Sequence, residues 1–265
     1  MGKIYKAYEP AMDRYVALKV LKLDVPEQER RRFRREAMIG SNFAHPNLVR
    51  VLDVGSVQEG KLEWMAMEYL RGRDIGEVIE KRKPMPVPLL VDVFRQVCDA
   101  LRYIHDRRIV HCDIKPENIF ITRDPMNRRL VVVKLIDFGI ARNLDPPFEL
   151  MQYVTGDPRY IAPEQQILNG PFDHRADIYA LGMTLYEVLT CRHPFEELLA
   201  GTVAQLLMAH RERTPSPPST FLGDDIPRGT AKALDDVFAR ACALDPARRF
   251  ADAAAMQQTI LAVGK

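Results

Sequence analysis

The chain has 265 residues, 47% apolar and 28% charged, with 38 Lys and Arg against 36 Asp and Glu. That make-up belongs to one large or two small globular domains and excludes a disordered or low-complexity scaffold. The net charge of +2 is evenly spread, so no part carries the basic footprint of a nucleic-acid or membrane-surface binder. The longest apolar stretch, residues 178–190, contains Glu187 and is too short to span a bilayer. Lys, Glu and Pro among the first ten residues predict no signal peptide. Cys98, Cys112, Cys191 and Cys242 are widely separated, which suits a reducing compartment, here the cytoplasm, better than a disulfide framework or zinc site.

In chain order, residues 4–8 and 15–21 carry aromatic and β-branched residues on either side of a Glu-Pro turn and predict two strands. The charged stretch 26–41, opened by Pro26 and free of glycine until Gly40, predicts a helix. Residues 48–54 and 62–69 predict two more strands. After Gly72 the period changes: Leu90, Phe94, Val97, Leu101 and Ile104 recur at three- and four-residue spacing, as on an amphipathic helix. A loop and an apolar strand follow over 111–122, then a turn at 124–129 and a strand at 130–136. Beyond Pro163, helices are expected at 176–189, 198–211, 230–243 and 251–263, with a Pro-rich surface loop at 214–218. There is no internal repeat. The coarse pattern is a small β-rich part followed by a larger helical part.

Four segments in fixed order carry the chemistry. Val16-Ala17-Leu18-Lys19 puts a lysine on a strand, and Glu36 follows in a helix. His111-Cys112-Asp113-Ile114-Lys115-Pro116-Glu117-Asn118 comes next, then Asp137-Phe138-Gly139, then Ala162-Pro163-Glu164. Each is weak alone, since a lysine at a strand end or a carboxylate capping a turn is common. Together, in this order and spacing, they resemble the signature set of protein kinases. Tyr160 to Gln165 and Asp173 to Tyr179 look most like bacterial serine/threonine kinases of the eukaryotic-like, Hanks type. The resemblance covers nearly the whole chain. It implies an α+β, bilobal kinase fold over residues 1–265, with residues 1–70 an N-lobe shortened at its start and 71–265 a C-lobe.

Phosphoryl transfer is mainly positioning and charge neutralisation, and the resemblance distributes that work. Lys19 would hold the ATP phosphates and Glu36 would aim it. Asn118 and Asp137 would ligate Mg2+ through hard oxygens. Asp113 would accept the substrate hydroxyl proton, and Lys115 would face the γ-phosphate. Nucleotide contacts are expected from Gly2, Ile4, Ala17, Met67, Glu68, Leu70, Asp74 and Phe120, with residues 67–70 as the hinge beside adenine. Asp177 would brace the catalytic loop, and Glu164 would pair with Arg249. The implied partner is a protein with a Ser or Thr acceptor; no oligomeric state follows. The rival function is a pseudokinase-like module that binds nucleotide or partner without transfer. A small-molecule kinase is disfavoured by Ala162-Pro163-Glu164 and its Pro-containing neighbourhood. The run Arg30 to Arg35 is expected to be a solvated helix face beside Glu27, Glu29 and Glu36. His45, His105, His174, His193 and His210 are expected in packing or surface roles.

Five departures from the family pattern stand out. Only Gly2 of the glycine-rich loop is present, so Met1 is expected to be an internal methionine of a longer reading frame and this chain a weak kinase. Cys112 replaces the arginine that receives a loop phosphate. Residues 137–164 hold no serine and one threonine, Thr155, so activity is expected not to depend on loop phosphorylation. Asp157 stands in place of a threonine, where it attracts Lys115 but brings a like charge near Asp113. Gly40 leaves a gap in the apolar stack linking the lobes, predicting a loosely held helix. Phe120 replaces a leucine under adenine and predicts a tighter pocket.

Overall fold

The computed structural model describes residues 2–22, 24–57, 62–124, 127, 130–144 and 155–263. Met1, residues 125, 126, 128 and 129 of the expected turn, and residues 145–154 of the segment before Ala162-Pro163-Glu164 lie outside them. The chain opens as a hairpin. Strand β1 (Lys3–Glu9) pairs antiparallel with β2 (Arg14–Val20), from Lys3 opposite Val20 to Glu9 opposite Arg14. Pro10 starts the short 3-10 turn between them, because its fixed φ suits a first helical position and it has no N–H to satisfy. Helix α1 (Glu27–Ser41) carries Glu27 and Glu29 in its first turn, favourable against the helix dipole. Strands β3 (Val51–Val57) and β4 (Leu62–Glu68) complete an antiparallel sheet of order β1-β2-β4-β3.

The strand expected at 48–54 begins later. Leu48 bridges Leu135, and the Val49 amide donates to the Leu135 carbonyl. Both residues are buried in the core of the helical part. An apolar run reads as extended whichever core it enters; its partner is a tertiary matter.

After the sheet come β5 (Gly72–Asp74), α2 (Ile75–Glu80), α3 (Val87–His105), β6 (Ile109–Val110), β7 (Ile119–Arg123), β8 (Val131–Leu135) and β9 (Arg142–Asn143). Strands β5-β7-β8 make a second small sheet, and β6 pairs with β9. Helices α4 (Arg175–Thr190), α5 (Val203–Glu212), α6 (Arg228–Ala241) and α7 (Ala253–Val263) follow. Helix α4 is buried over almost its whole length, as a helix apolar on all sides must be. Helix α5 starts later than expected. Residues Glu196–Leu198 form a separate 3-10 turn, and a capping box between Thr202 and Gln205 opens the helix at Val203.

One large core runs through the helical part and takes in Ile39 of α1 and Phe43 just after it. The sheet has a small core of its own, made by Leu21, Phe33, Ala37 and Met65. The arginine run on α1 is not simply a solvated face. Arg34 donates to Glu63 Oε1 at 2.7 Å and Oε2 at 3.0 Å, and Arg30 donates to Oε1 at 3.2 Å. Glu63 on β4 is buried, and a buried carboxylate needs such partners. No helix among the described residues is long and apolar enough to cross a membrane.

Candidate active site

Strand register sets one wall of the site. Ala17 and Lys19 share a face of β2 because side chains alternate. Opposite them stand Met67 and Met65 on β4 and Ile4, opposite Lys19, on β1. Lys19 Nζ donates to both carboxylate oxygens of Glu36 at 2.6 Å. Burial works to lower the Lys19 pKa, but Glu36 and Asp137 outweigh it and raise it. The lysine is therefore charged, and one ammonium serves two carboxylates. Gly2 approaches the Val20 carbonyl so closely that a Cβ would stand 2.6 Å from its oxygen; no larger residue fits there.

The opposite wall is a loop held from below. Asp177 on α4 accepts from the amides of His111 at 2.8 Å and Cys112 at 2.9 Å. His105 Nε2 lies 2.8 Å from the same carboxylate. Burial pushes the Asp177 pKa up, but these hydrogen bonds and the His105 and His111 rings hold it below the usual carboxylate range. His105 is thus more than packing. No sequence signal marks it, because its partner lies on another helix far along the chain.

Above Asp177 the loop presents its polar groups. Asn118 Nδ2 donates to the Asp113 carbonyl at 2.8 Å and to Asp113 Oδ2 at 2.9 Å. Lys115 Nζ lies 3.0 Å from Asp113 Oδ2. Asp137 takes a left-handed backbone, φ 65°, and its Oδ1 accepts the Gly139 amide at 3.0 Å. Burial pushes its pKa up, but Lys19, that amide and further neighbouring positive charge hold it low. Cys112 is also left-handed, φ 66°. Two non-glycine residues in that region, in one site, mark backbone over-determined by its surroundings. Burial drives the Cys112 thiol pKa well up, so it is a neutral, inert group.

The remaining expected contacts are spread along the rim. The Glu68 carboxylate accepts from Lys134 Nζ at 2.6 Å and the Arg50 amide at 2.8 Å, so its side chain is committed elsewhere. Asp74 caps α2 by accepting the Glu77 amide at 2.9 Å. Phe120 is half-buried on β7, opposite Asp74 and Lys134. Met67 and Leu70 are half-buried against the large core. Glu164 and Arg249 form a pair at 2.6 Å and 2.9 Å.

The structure departs from expectation at two further positions, Gly40 and Asp157. The gap at Gly40 is filled by Val51, whose Cγ2 lies 2.7 Å from where a Gly40 Cβ would stand. The stack continues through Phe43, beyond the helix end. Its ring meets Phe138 edge-on at 5.2 Å, and Phe138 in turn meets His111 at 4.9 Å. Asp157, in turn, is not a bare like charge beside Asp113. Its carboxylate lies 3.7 Å from Lys115 Nζ, and the Arg159 side chain holds both of its oxygens at 3.1 Å and 2.8 Å.

The donor set fits a nucleotide with a hard divalent metal. Lys19, Glu36 and Asp137 together carry one excess negative charge. Asn118, with its NH2 turned to Asp113, has its carbonyl oxygen as the remaining ligand atom. Among the described residues no group of three His, Cys, Asp or Glu could hold a metal alone. Magnesium commonly takes one or two protein ligands and completes its shell with phosphate and water.

The family profile described as protein kinase domain matches residues 1–261. Serine/threonine-protein kinase pkn3 of Myxococcus xanthus is 35% identical over 272 residues, spanning 100% of this chain and 48% of that protein. Serine/threonine-protein kinase PknF of Mycobacterium tuberculosis is 39% identical over 258 residues, 94% of this chain and 51% of the relative. The crystal structure of the Mycobacterium tuberculosis PknI kinase domain superposes with a TM-score of 0.72 at 27% identity, covering 99% of this chain and 91% of that one. The chain spans about half the length of these two curated relatives.

Proposed function

Because the chain belongs to the protein kinase domain family, we propose that it is a serine/threonine protein kinase transferring the γ-phosphoryl group of ATP to protein hydroxyls. The observation that carries this reading is the Asp113–Lys115–Asn118 cluster, held from below by Asp177 and set within one site with the Lys19–Glu36 pair and Asp137.

In this reading Asp113 takes the proton as the acceptor oxygen bonds to phosphorus and the bond to ADP breaks. Asn118 orients Asp113 through its amide. Lys115 and Lys19 neutralise phosphate charge, and Glu36 keeps Lys19 aimed. Asp137 and the Asn118 carbonyl would hold magnesium, which supplies charge neutralisation between the phosphates. Ala17, Met67 and Phe120 would enclose adenine, Leu70 would offer hinge backbone, and Gly2, Ile4 and Asp74 would flank the phosphates and ribose. The division into lobes at residues 70 and 71 and a cytoplasmic location belong to the same reading; the four cysteines are free thiols, as a reducing compartment requires.

The test is transfer of labelled phosphate from ATP and Mg2+ to a generic protein, with Asp113→Asn as control. Transfer that Asp113→Asn reduces by about a thousandfold supports the reading. Nucleotide binding without transfer assigns the chain to the binding-module class instead.

A further inference from the structure

The Lys115 ammonium stands between two carboxylates, 3.0 Å from Asp113 Oδ2 and 3.7 Å from Asp157 Oδ2. Coulomb attraction to either is similar at such separations, so two like charges compete for one cation. Arg159 decides that competition. Its backbone amide donates to Asp157 Oδ1 at 3.0 Å, its Nε to the same oxygen at 3.1 Å, and its Nη2 to Oδ2 at 2.8 Å. A planar guanidinium matches a carboxylate at two points, which an ammonium cannot do. Nη2 also donates to Glu117 Oε1 at 2.8 Å, so the arginine ties this segment to the loop carrying Asp113.

We propose that Arg159 is a positioning residue for Lys115: by engaging both oxygens of Asp157 it leaves the lysine to Asp113. The kinetic consequence rests on the kinase reading above, whereas the placement of Lys115 is measurable without turnover. Other groups facing Asp157 do not replace the arginine. His193 is kept neutral by burial, which pushes its pKa down, and its Nε2 lies 2.8 Å from the Arg159 carbonyl. The Glu187 carboxylate accepts the Tyr160 hydroxyl and adds only negative charge.

The experiment labels lysine side chains of the whole chain with 15N and reads the Lys115 Nζ resonance, assigned by its loss in Lys115→Met. In parallel it records kcat and KM. In Arg159→Gln the resonance shifts as the ammonium moves toward Asp157. There kcat falls about tenfold while KM for ATP and protein stay within about twofold. The double variant Arg159→Gln, Asp157→Asn returns both readouts toward wild type, because the competing charge is gone. Arg159→Lys returns them in part. Glu117→Gln cuts the tie to the catalytic loop and removes a charge acting on Lys115 but leaves Asp157 held, and its Lys115 resonance moves less than in Arg159→Gln. A resonance unmoved in Arg159→Gln, or not restored by Asp157→Asn, overturns the proposal. A wild type that transfers no phosphate and matches Asp113→Asn overturns the kinase reading instead, and the resonance still decides where Lys115 lies.

Discussion

The two walls of the site are held in different ways. On the sheet side a charge positions a charge: Lys19 meets Glu36, over a core of Leu21, Phe33, Ala37 and Met65. On the helical side hydrogen bonds position backbone. Asp177, 1% exposed, receives two loop amides and contacts His105. Arg249, with a fully buried side chain, donates to both Glu164 oxygens and to the carbonyls of Arg175, Ala243 and Leu244. A lysine hydrogen-bonded to one carboxylate, with Asp137 as its other charged neighbour, is re-aimed when that carboxylate goes. A loop held at several points moves only if the surrounding core opens. In the proposed kinase reading, the aiming of phosphate therefore belongs to the weaker side and the geometry of proton transfer to the stronger one.

The largest effect is expected on the strong side. Arg249→Met leaves Glu164 with a partly buried charge and no partner, which costs about 3–5 kcal/mol and should appear as a lower urea midpoint for the whole chain. The matching change on the weak side is Glu36→Gln. It should lower kcat/KM for ATP by about a hundredfold through loss of lysine aim, with a smaller fall in urea midpoint than Arg249→Met, because Asp137 still faces Lys19. Equal destabilisation by the two substitutions would break the contrast between the walls.

The weak side was the more legible in sequence. Alternation marked its strands, and Lys19 and Glu36 stood at family spacing. The cluster of Asp113, Lys115 and Asn118 was legible too, because it is local: the three residues lie within six positions of one loop. What stayed hidden depends on packing between distant segments. His105 meets Asp177 across two helices, and Arg30 and Arg34 find Glu63 on a strand. The family pattern places the lobe-linking stack one turn after Glu36, at Gly40, whereas the chain supplies it from Phe43 after the helix has ended. Arg159 was visible two residues from Asp157. Its side chain is a nearer cation to Asp157 than Lys115 is, which sequence separation alone does not show.

Acid and alkali should separate the walls. The Asp177 pKa is depressed in the fold, so its contribution is present in full above the unfolded value near 4 and is lost as pH falls through the folded one. The stability gap between wild type and Asp177→Asn should therefore narrow as pH is lowered from about 6 toward 3. The Lys19 pKa is raised, so its contribution is present below the unfolded value near 10.4 and is lost as pH rises through the folded one. Urea titrations at acid and alkaline pH read the two sides independently. A gap between wild type and Asp177→Asn that stays constant in acid would mean that the loop amides, not the charge, hold that wall.

The smallest effect tests how tightly the weak side is packed. Replacing glycine with alanine in a helix contributes about 1 kcal/mol from propensity. At Gly40 the new Cβ would stand 2.7 Å from Val51 Cγ2, and overpacking costs about 1–3 kcal/mol. The valine is β-branched and has few rotamers to retreat into, so the clash should win and Gly40→Ala should destabilise by about 1 kcal/mol. Val51→Ala alone opens a cavity. Combined with Gly40→Ala it should regain stability, because the new methyl occupies part of the vacated space and the helix keeps its propensity gain. A double-mutant cycle on urea midpoints measures that coupling. Stabilisation by Gly40→Ala alone would mean that β3 yields easily to α1. The helix carrying Glu36 would then be limited by its own propensity, not by its packing, and the sheet side would be softer still.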